Sequence, residues 1–171
     1  TVECIGDLTQ NRHVGILATS GTIKSESYLL EIEKLFPDVT VTGEACPMWV
    51  PLVENNEYDS EGANYFVQKH IRQLLAKDPD IDTLILGCTH YPLLIEKIRQ
   101  FTPSHIRIVP QGEYVAQSLQ NYFRRHPEMD NRCTKEGTCR FLTTESETKF
   151  EESASIFLQQ EDIHVERIIL E

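Results

Sequence analysis

The sequence predicts an α/β protein built on a parallel sheet flanked by helices. Three observations carry this. Short apolar, β-branched runs alternate with segments of helical periodicity along the whole chain. The run at residues 82–88 (DTLILGC) is apolar throughout, as a strand covered on both faces must be. No internal repeat or low-complexity segment breaks the alternation.

Residues 13–19 (HVGILAT) read as the first buried strand. Residues 25–36 follow as a helix with Tyr28, Leu29, Ile32 and Leu35 on one face, stopped by Pro37 and Asp38. Residues 39–46 form a second strand with alternating β-branched side chains. The stretch 47–54 (PMWVPLVE) is too proline-rich for a regular element and reads as an ordered apolar loop with at most one turn of helix. The longest helix spans 60–77, where Ala63, Phe66, Val67, Ile71, Leu74 and Leu75 recur three or four apart. On that helix His70 stands beside Lys69 and Arg72 and reads as solvated. Strand 82–88 is followed by a turn at Thr89 and His90, then by a helix with Pro92 in its first turn that runs to about Gln100. Residues 106–109 are a fourth strand. A helix at 113–125, a polar loop at 126–137, a strand at 140–144, a helix at 147–160 and a strand at 165–170 complete the order. The chain opens without Met, inside what reads as a helix end (Val2, Ile5, Leu8). A fragment and simple removal of Met both account for this.

Hydrophobic residues make up 40% and charged residues 25% of the 171 residues, an ordinary globular balance. A chain of this length buries most of its apolar surface without metal or disulfide staples. The formal net charge of -11 argues against nucleic acid and anionic membrane as partners, because binding to phosphates rests on Lys and Arg. The five cysteines, Cys4, Cys46, Cys88, Cys133 and Cys139, are odd in number and form no disulfide framework. Reduced thiols in a cytoplasmic protein are expected. No apolar run reaches the roughly 18 residues of a membrane span, and Glu3 and Asp7 stand where a signal peptide would be basic. Cys133 and Cys139 lack the spacing and the nearby His of a zinc site, so no metal is expected.

Ligands of open α/β sheets sit at the carboxyl ends of the strands. Three strand ends carry chemistry. After the third strand comes Gly87-Cys88-Thr89-His90-Tyr91-Pro92. Gly87 permits a sharp turn, and Cys88 then stands beside the amides of the next helix, a position that favours a thiolate and exposes the sulfur. Thr89 offers a hydroxyl and an amide to a carboxylate. His90 is near enough to exchange a proton with Cys88 or polarise a substrate. A buried structural Cys with a loop His is the competing reading, and on residues alone the two weigh evenly. After the first strand, Thr19, Thr22 and Ser25 lead into a helix and could cradle a carboxylate, although plain N-capping is the commoner role. After the second strand come Cys46, expected to be packed rather than reactive, and Glu54, which also reads as a surface residue.

Three segments together resemble the glutamate racemases of the aspartate/glutamate racemase superfamily: ILATSGTIKSESY at 16–28, ACPMWVPLVE at 45–54 and LILGCTHYPLL at 84–94. The tail segments VPQGE at 109–113 and FLTT at 141–144 fit the same family. The resemblance implies two similar α/β domains that close over the substrate, with a cysteine from each on opposite faces of the α-carbon. It implies no cofactor, neither pyridoxal phosphate nor metal. Cys88 matches the second of those cysteines, the one that faces the L enantiomer. Thr89 matches a substrate-binding residue and His90 the helper of that thiol. Thr19 and Thr22 match substrate-contacting threonines, and Glu54 an acidic helper.

By the same resemblance, residues 1–110 are the second racemase domain, carrying Cys88, and residues 111–171 are the C-terminal part of the first, incomplete here. The family's first catalytic cysteine and its early Asp-Ser-Gly motif have no counterpart in this sequence, and none of Cys4, Cys46, Cys133 or Cys139 stands in a matching context. The chain by itself is therefore expected not to racemise glutamate. The implied function is interconversion of L- and D-glutamate in the cytoplasm, supplying D-glutamate for peptidoglycan, with a homodimer among the family's arrangements. Two alternatives stand beside it. One is an aspartate or hydantoin racemase, which comparing turnover of the amino acids decides. The other is a non-catalytic amino-acid-binding module, which an upstream reading frame encoding the missing segment eliminates.

Overall fold

The computed structural model describes residues 5–170, so Val2 and Cys4 of the sequence reading lie outside it. The chain divides into two compact units, one up to Asn121 and one from Tyr122. The expected α/β class holds. The first unit has a four-stranded sheet of β1 (His13–Ala18), β2 (Thr40–Ala45), β3 (Thr83–Leu86) and β4 (Arg107–Pro110) in the order β2-β1-β3-β4, with every pair parallel.

Side chains alternate across this sheet because successive residues of a strand point to opposite faces. Val14, Ile16 and Ala18 of β1 and Ile85 of β3 join Ile5 and Ile32 on one face. Leu17, Leu84 and Leu86 face the other way, onto α5 (Glu61–Lys77) and α6 (Ile95–Phe101), where Val67, Ile71, Leu74 and Ile98 are buried. Both faces are thus covered, which explains the uninterrupted apolar run of β3. Gly15 lets α5 approach: a Cβ there would stand 2.9 Å from Leu74 Cδ2. Ser60 caps α5, accepting from the Ala63 N–H at 3.2 Å. At the amino edge of the sheet, the Asp82 carboxylate accepts from Thr9 Oγ1 (2.7 Å), Gln10 N (2.6 Å) and Asn11 N (2.9 Å) and ties the entry of β1 to that of β3.

Several details of the first unit differ from the sequence reading. The helix expected over 25–36 is two helices, α2 (Ser20–Lys24) and α3 (Ser27–Leu35), separated where Glu26 adopts φ 53°. Of its expected apolar face only Ile32 is fully buried, while Leu29 and Leu35 are exposed. Residues expected as a loop form α4 (Trp49–Glu54). Pro51 is tolerated there because the first amides of a helix have no intrahelical partner to lose. His70 is buried, not solvated, at 5% exposure, because it shares the inward face of α5 with Val67, Ile71 and Leu74.

The short helix α1 (Ile5–Leu8) precedes β1, and α7 (Gln111–Arg125) follows β4. In the second unit, α8 (Pro127–Asp130) lies within the expected loop. Then β5 (Phe141–Thr143), α9 (Glu147–Leu158) and β6 (Val165–Arg167) form a parallel two-stranded sheet with its crossover helix. The last strand ends at Arg167, short of the expected 170. No helix among the described residues is long and apolar enough to cross a membrane.

Candidate active site

The carboxyl ends of β1 and β3 lie side by side. Leu17 pairs with Leu86 in the register, so Thr19 and Cys88 each stand two residues beyond the same rung. The Gly87 N–H donates to the Leu17 carbonyl at 2.8 Å, which extends the pairing into the turn. A Cβ on Gly87 would stand 3.0 Å from Ala18 Cβ and 3.4 Å from both the Leu17 carbonyl oxygen and Tyr28 Cε2. Close approach therefore favours glycine, and the turn that presents Cys88 is packed from two sides.

Cys88 is half-buried and its thiol is free. Its Sγ lies 3.8 Å from His90 Nδ1, and His90 Nε2 lies 3.3 Å from Glu54 Oε1. The two nitrogens of one imidazole thus stand between a thiol and a carboxylate, the first within hydrogen-bond reach of Sγ and the second in ion-pair contact with Glu54. Glu54 is brought here by α4, where the proline-rich sequence predicts a loop with at most one turn of helix. Its side chain is 60% exposed against 28% for His90, so the relay opens to solvent at its acidic end. Thr89 is exposed in the turn between them.

On β1, the Thr19 hydroxyl caps α2, accepting from the Thr22 N–H at 3.3 Å, and lies 2.9 Å from Thr22 Oγ1. Capping and ligand binding are compatible here. One hydroxyl donates to the other, which leaves the second proton of the pair for a ligand.

Cys46 is a different kind of thiol. It is 1% exposed, and burial first, then the nearby Glu44 carboxylate, push it far above the usual thiol range. Its backbone carbonyl accepts from the buried Tyr91 hydroxyl at 3.3 Å. Tyr91 in turn packs edge-on against Trp49 at 4.7 Å between ring centroids. Beneath this layer His70 Nδ1 meets Glu44 Oε1 at 2.9 Å, and Lys77 Nζ donates to Glu44 Oε2 at 2.7 Å. Sequence reasoning missed this buried polar group because nothing along the chain links Glu44 on a strand to His70 on a helix. It also missed Gln111, whose side chain reaches the end of β3.

Cys133 and Cys139 are exposed in the second unit. Among the described residues, the one group of donors close enough to share a cation is His13, Asp78 and Asp80, within 4.8 Å of one another. It lies at the amino end of β1, away from Cys88, and His13 is already bonded to Asp78 at 2.9 Å.

Comparison with known proteins bears on this arrangement. The sequence model of the family described as Asp/Glu/Hydantoin racemase matches residues 4–119. A glutamate racemase of Streptococcus agalactiae is 38% identical over 165 residues, which cover 95% of this chain and 60% of the relative. One of Enterococcus faecalis is 39% identical over 168 residues, covering 95% and 59%. A glutamate racemase isoform of Bacillus anthracis superimposes with a TM-score of 0.86 at 29% identity, over 99% of this chain and 62% of that one. A glutamate racemase of Francisella tularensis, solved in complex with D-glutamate, gives 0.82 at 26% identity over 98% and 61%. The chain spans about 60% of the length of the curated relatives it matches.

Proposed function

The chain belongs to the Asp/Glu/hydantoin racemase family, and on that premise we propose that it is the Cys88-bearing part of a glutamate racemase. The observation that supports this most is the Cys88–His90–Glu54 relay at the carboxyl end of the central strand β3.

The α-proton of an amino acid is a weak acid, and removing it needs a base held against the α-carbon with donors around the carboxylate. In our reading the Cys88 thiolate takes the α-proton of L-glutamate and becomes a thiol, while the bonding pair stays on the α-carbon. The Thr19, Thr22 and Thr89 hydroxyls hold the substrate carboxylate, where negative charge builds up. His90 carries the proton of Cys88 toward the exposed Glu54 and back, resetting the thiol between turnovers. Inversion requires a second acid to deliver a proton to the opposite face. Buried Cys46 is unsuited to that role, and Cys4, Cys133 and Cys139 do not match the family's first catalytic cysteine, so in our reading that thiol is none of these. No cofactor enters the scheme.

The same reading takes residues 1–110 as one racemase domain and 111–171 as part of its companion. It takes the product as D-glutamate for peptidoglycan, made in the cytoplasm, with a homodimer among the arrangements open to the enzyme. Glutamate is preferred over aspartate because the relatives named above are glutamate racemases.

Ligand protection of the thiol tests the substrate. L-glutamate should slow alkylation of Cys88, followed on its own peptide by mass spectrometry, and L-aspartate should not. Equal protection by both would replace glutamate with a broader substrate class. Protection by neither would remove the substrate assignment.

A further inference from the structure

The β3–β4 ladder ends at Leu86 and Pro110, beside the Gln111 side chain. The Arg107 N–H donates to the Asp82 carbonyl at 2.8 Å. A parallel ladder repeats its donors every second residue, so the N–H of residue 111 falls due opposite the Leu86 carbonyl. The chain turns into α7 at Gln111. The Gln111 side chain reaches the same carbonyl, Nε2 donating to Leu86 at 2.9 Å. The same NH2 group donates to the Tyr28 hydroxyl at 2.6 Å. A carbonyl can only accept, so Leu86 fixes which end of the amide faces it, and both N–H groups are used.

Both acceptors adjoin the reactive turn. Leu86 is followed directly by Gly87 and Cys88. Tyr28 Cε2 stands 3.4 Å from where a Gly87 Cβ would be. On the other side, the Leu17 carbonyl holds the Gly87 N–H at 2.8 Å. A single amide therefore joins the end of the central strand to the aromatic ring packed on its turn.

We propose that Gln111 is a positioning residue for Cys88: its side-chain amide clamps Leu86 and Tyr28 and so sets where the thiol meets His90. The proposal rests on the reading of Cys88 as the reacting thiol, and adds the group that places it.

The test is the rate of Cys88 alkylation by iodoacetamide across a pH series, read on the Cys88 peptide, with thermal unfolding measured alongside. Wild type, Gln111→Met, His90→Asn and the double variant are compared. His90→Asn should change the wild-type profile. Gln111→Met should shrink that His90 effect by at least about twofold, the coupling expected of groups in one network. Tyr28→Phe keeps the ring and removes one acceptor, and should shift the profile the same way by less. It carries the test if Gln111→Met does not fold. A Gln111→Met protein that loses thermal stability but keeps the wild-type profile and its full His90 dependence would overturn the proposal. So would a wild-type profile that His90→Asn leaves unmoved. The alkylation series contains no amino acid, so the glutamate assignment and the role of Gln111 can fail separately.

Discussion

Replacing Gly87 with alanine should disturb both stability and the thiol, and the structure sets the scale. The new Cβ would stand 3.0 Å from Ala18 Cβ, closer than ordinary contact, and 3.4 Å from the Leu17 carbonyl oxygen. Ala18 cannot retreat, because β1 is paired on both sides, to β2 and to β3. Leu17 is fixed by the bond its carbonyl accepts from Gly87 itself. The strain therefore falls on the turn. Overpacking of this kind costs about 1–3 kcal/mol. In a chain of this size that lowers Tm by roughly 2–4 °C per kcal/mol, so a fall of about 4–8 °C is expected for the middle of the range. Gly21→Ala is the control: its Cβ would meet nothing within 4 Å, and Gly21 lies within α2. That change should be neutral or stabilising by about 0.5–1 kcal/mol. Thermal unfolding followed by circular dichroism reads both. Wild-type stability in Gly87→Ala, or equal losses in the two variants, would refute the packing argument.

Two further predictions concern polar pairs in the first unit. Glu44→Ala should cost about 3 kcal/mol in urea unfolding, because His70 would stay buried without its partner. Glu44→Gln, which keeps an acceptor for His70, should cost about 1 kcal/mol; equal losses would mean the bond to His70 carries little. The His13–Asp78 pair should make stability depend on pH. Its bond to Asp78 raises His13 above its usual 6.5, with burial opposing. Partial burial opposes the charged form of Asp78, but the bond from His13 and those from the Asp80 amide and Thr42 outweigh it and hold the carboxyl below 3.8. A raised His stabilises fully below its unfolded value and less as pH rises through the folded one. A lowered Asp stabilises above its unfolded value and less as pH falls through the folded one. The pair therefore contributes most between about 4 and 6.5. His13 is 31% exposed, so the amplitude should stay below about 1 kcal/mol. His13→Gln should flatten the alkaline side of a plot of stability against pH, and an unchanged slope would dismiss the pair.

How much the sequence revealed depended on the range of the interaction. Strands such as β1 and β3 are legible because alternation and apolar runs are local signals. The placement of Thr19 and Cys88 at one sheet edge follows from strand ends alone. Glu54 was named without the helix that delivers it, because Pro51 in the third position reads as a breaker unless the helix start is known. The sequence suggests a solvated His70 because its neighbours Lys69 and Arg72 are charged, whereas the residues three and four away decide its face. Gln111 and Tyr28 meet across 83 residues of chain, and no periodicity encodes that contact.

The most direct test of Cys88 as the proton carrier is α-hydrogen exchange in deuterium oxide, with L-glutamate and D-glutamate supplied separately. The account predicts that the chain exchanges the α-proton of L-glutamate without inverting it, leaves D-glutamate untouched, and loses the exchange in Cys88→Ser. Exchange that survives Cys88→Ser, no exchange by the unaltered chain, or sustained inversion by the chain alone would contradict it.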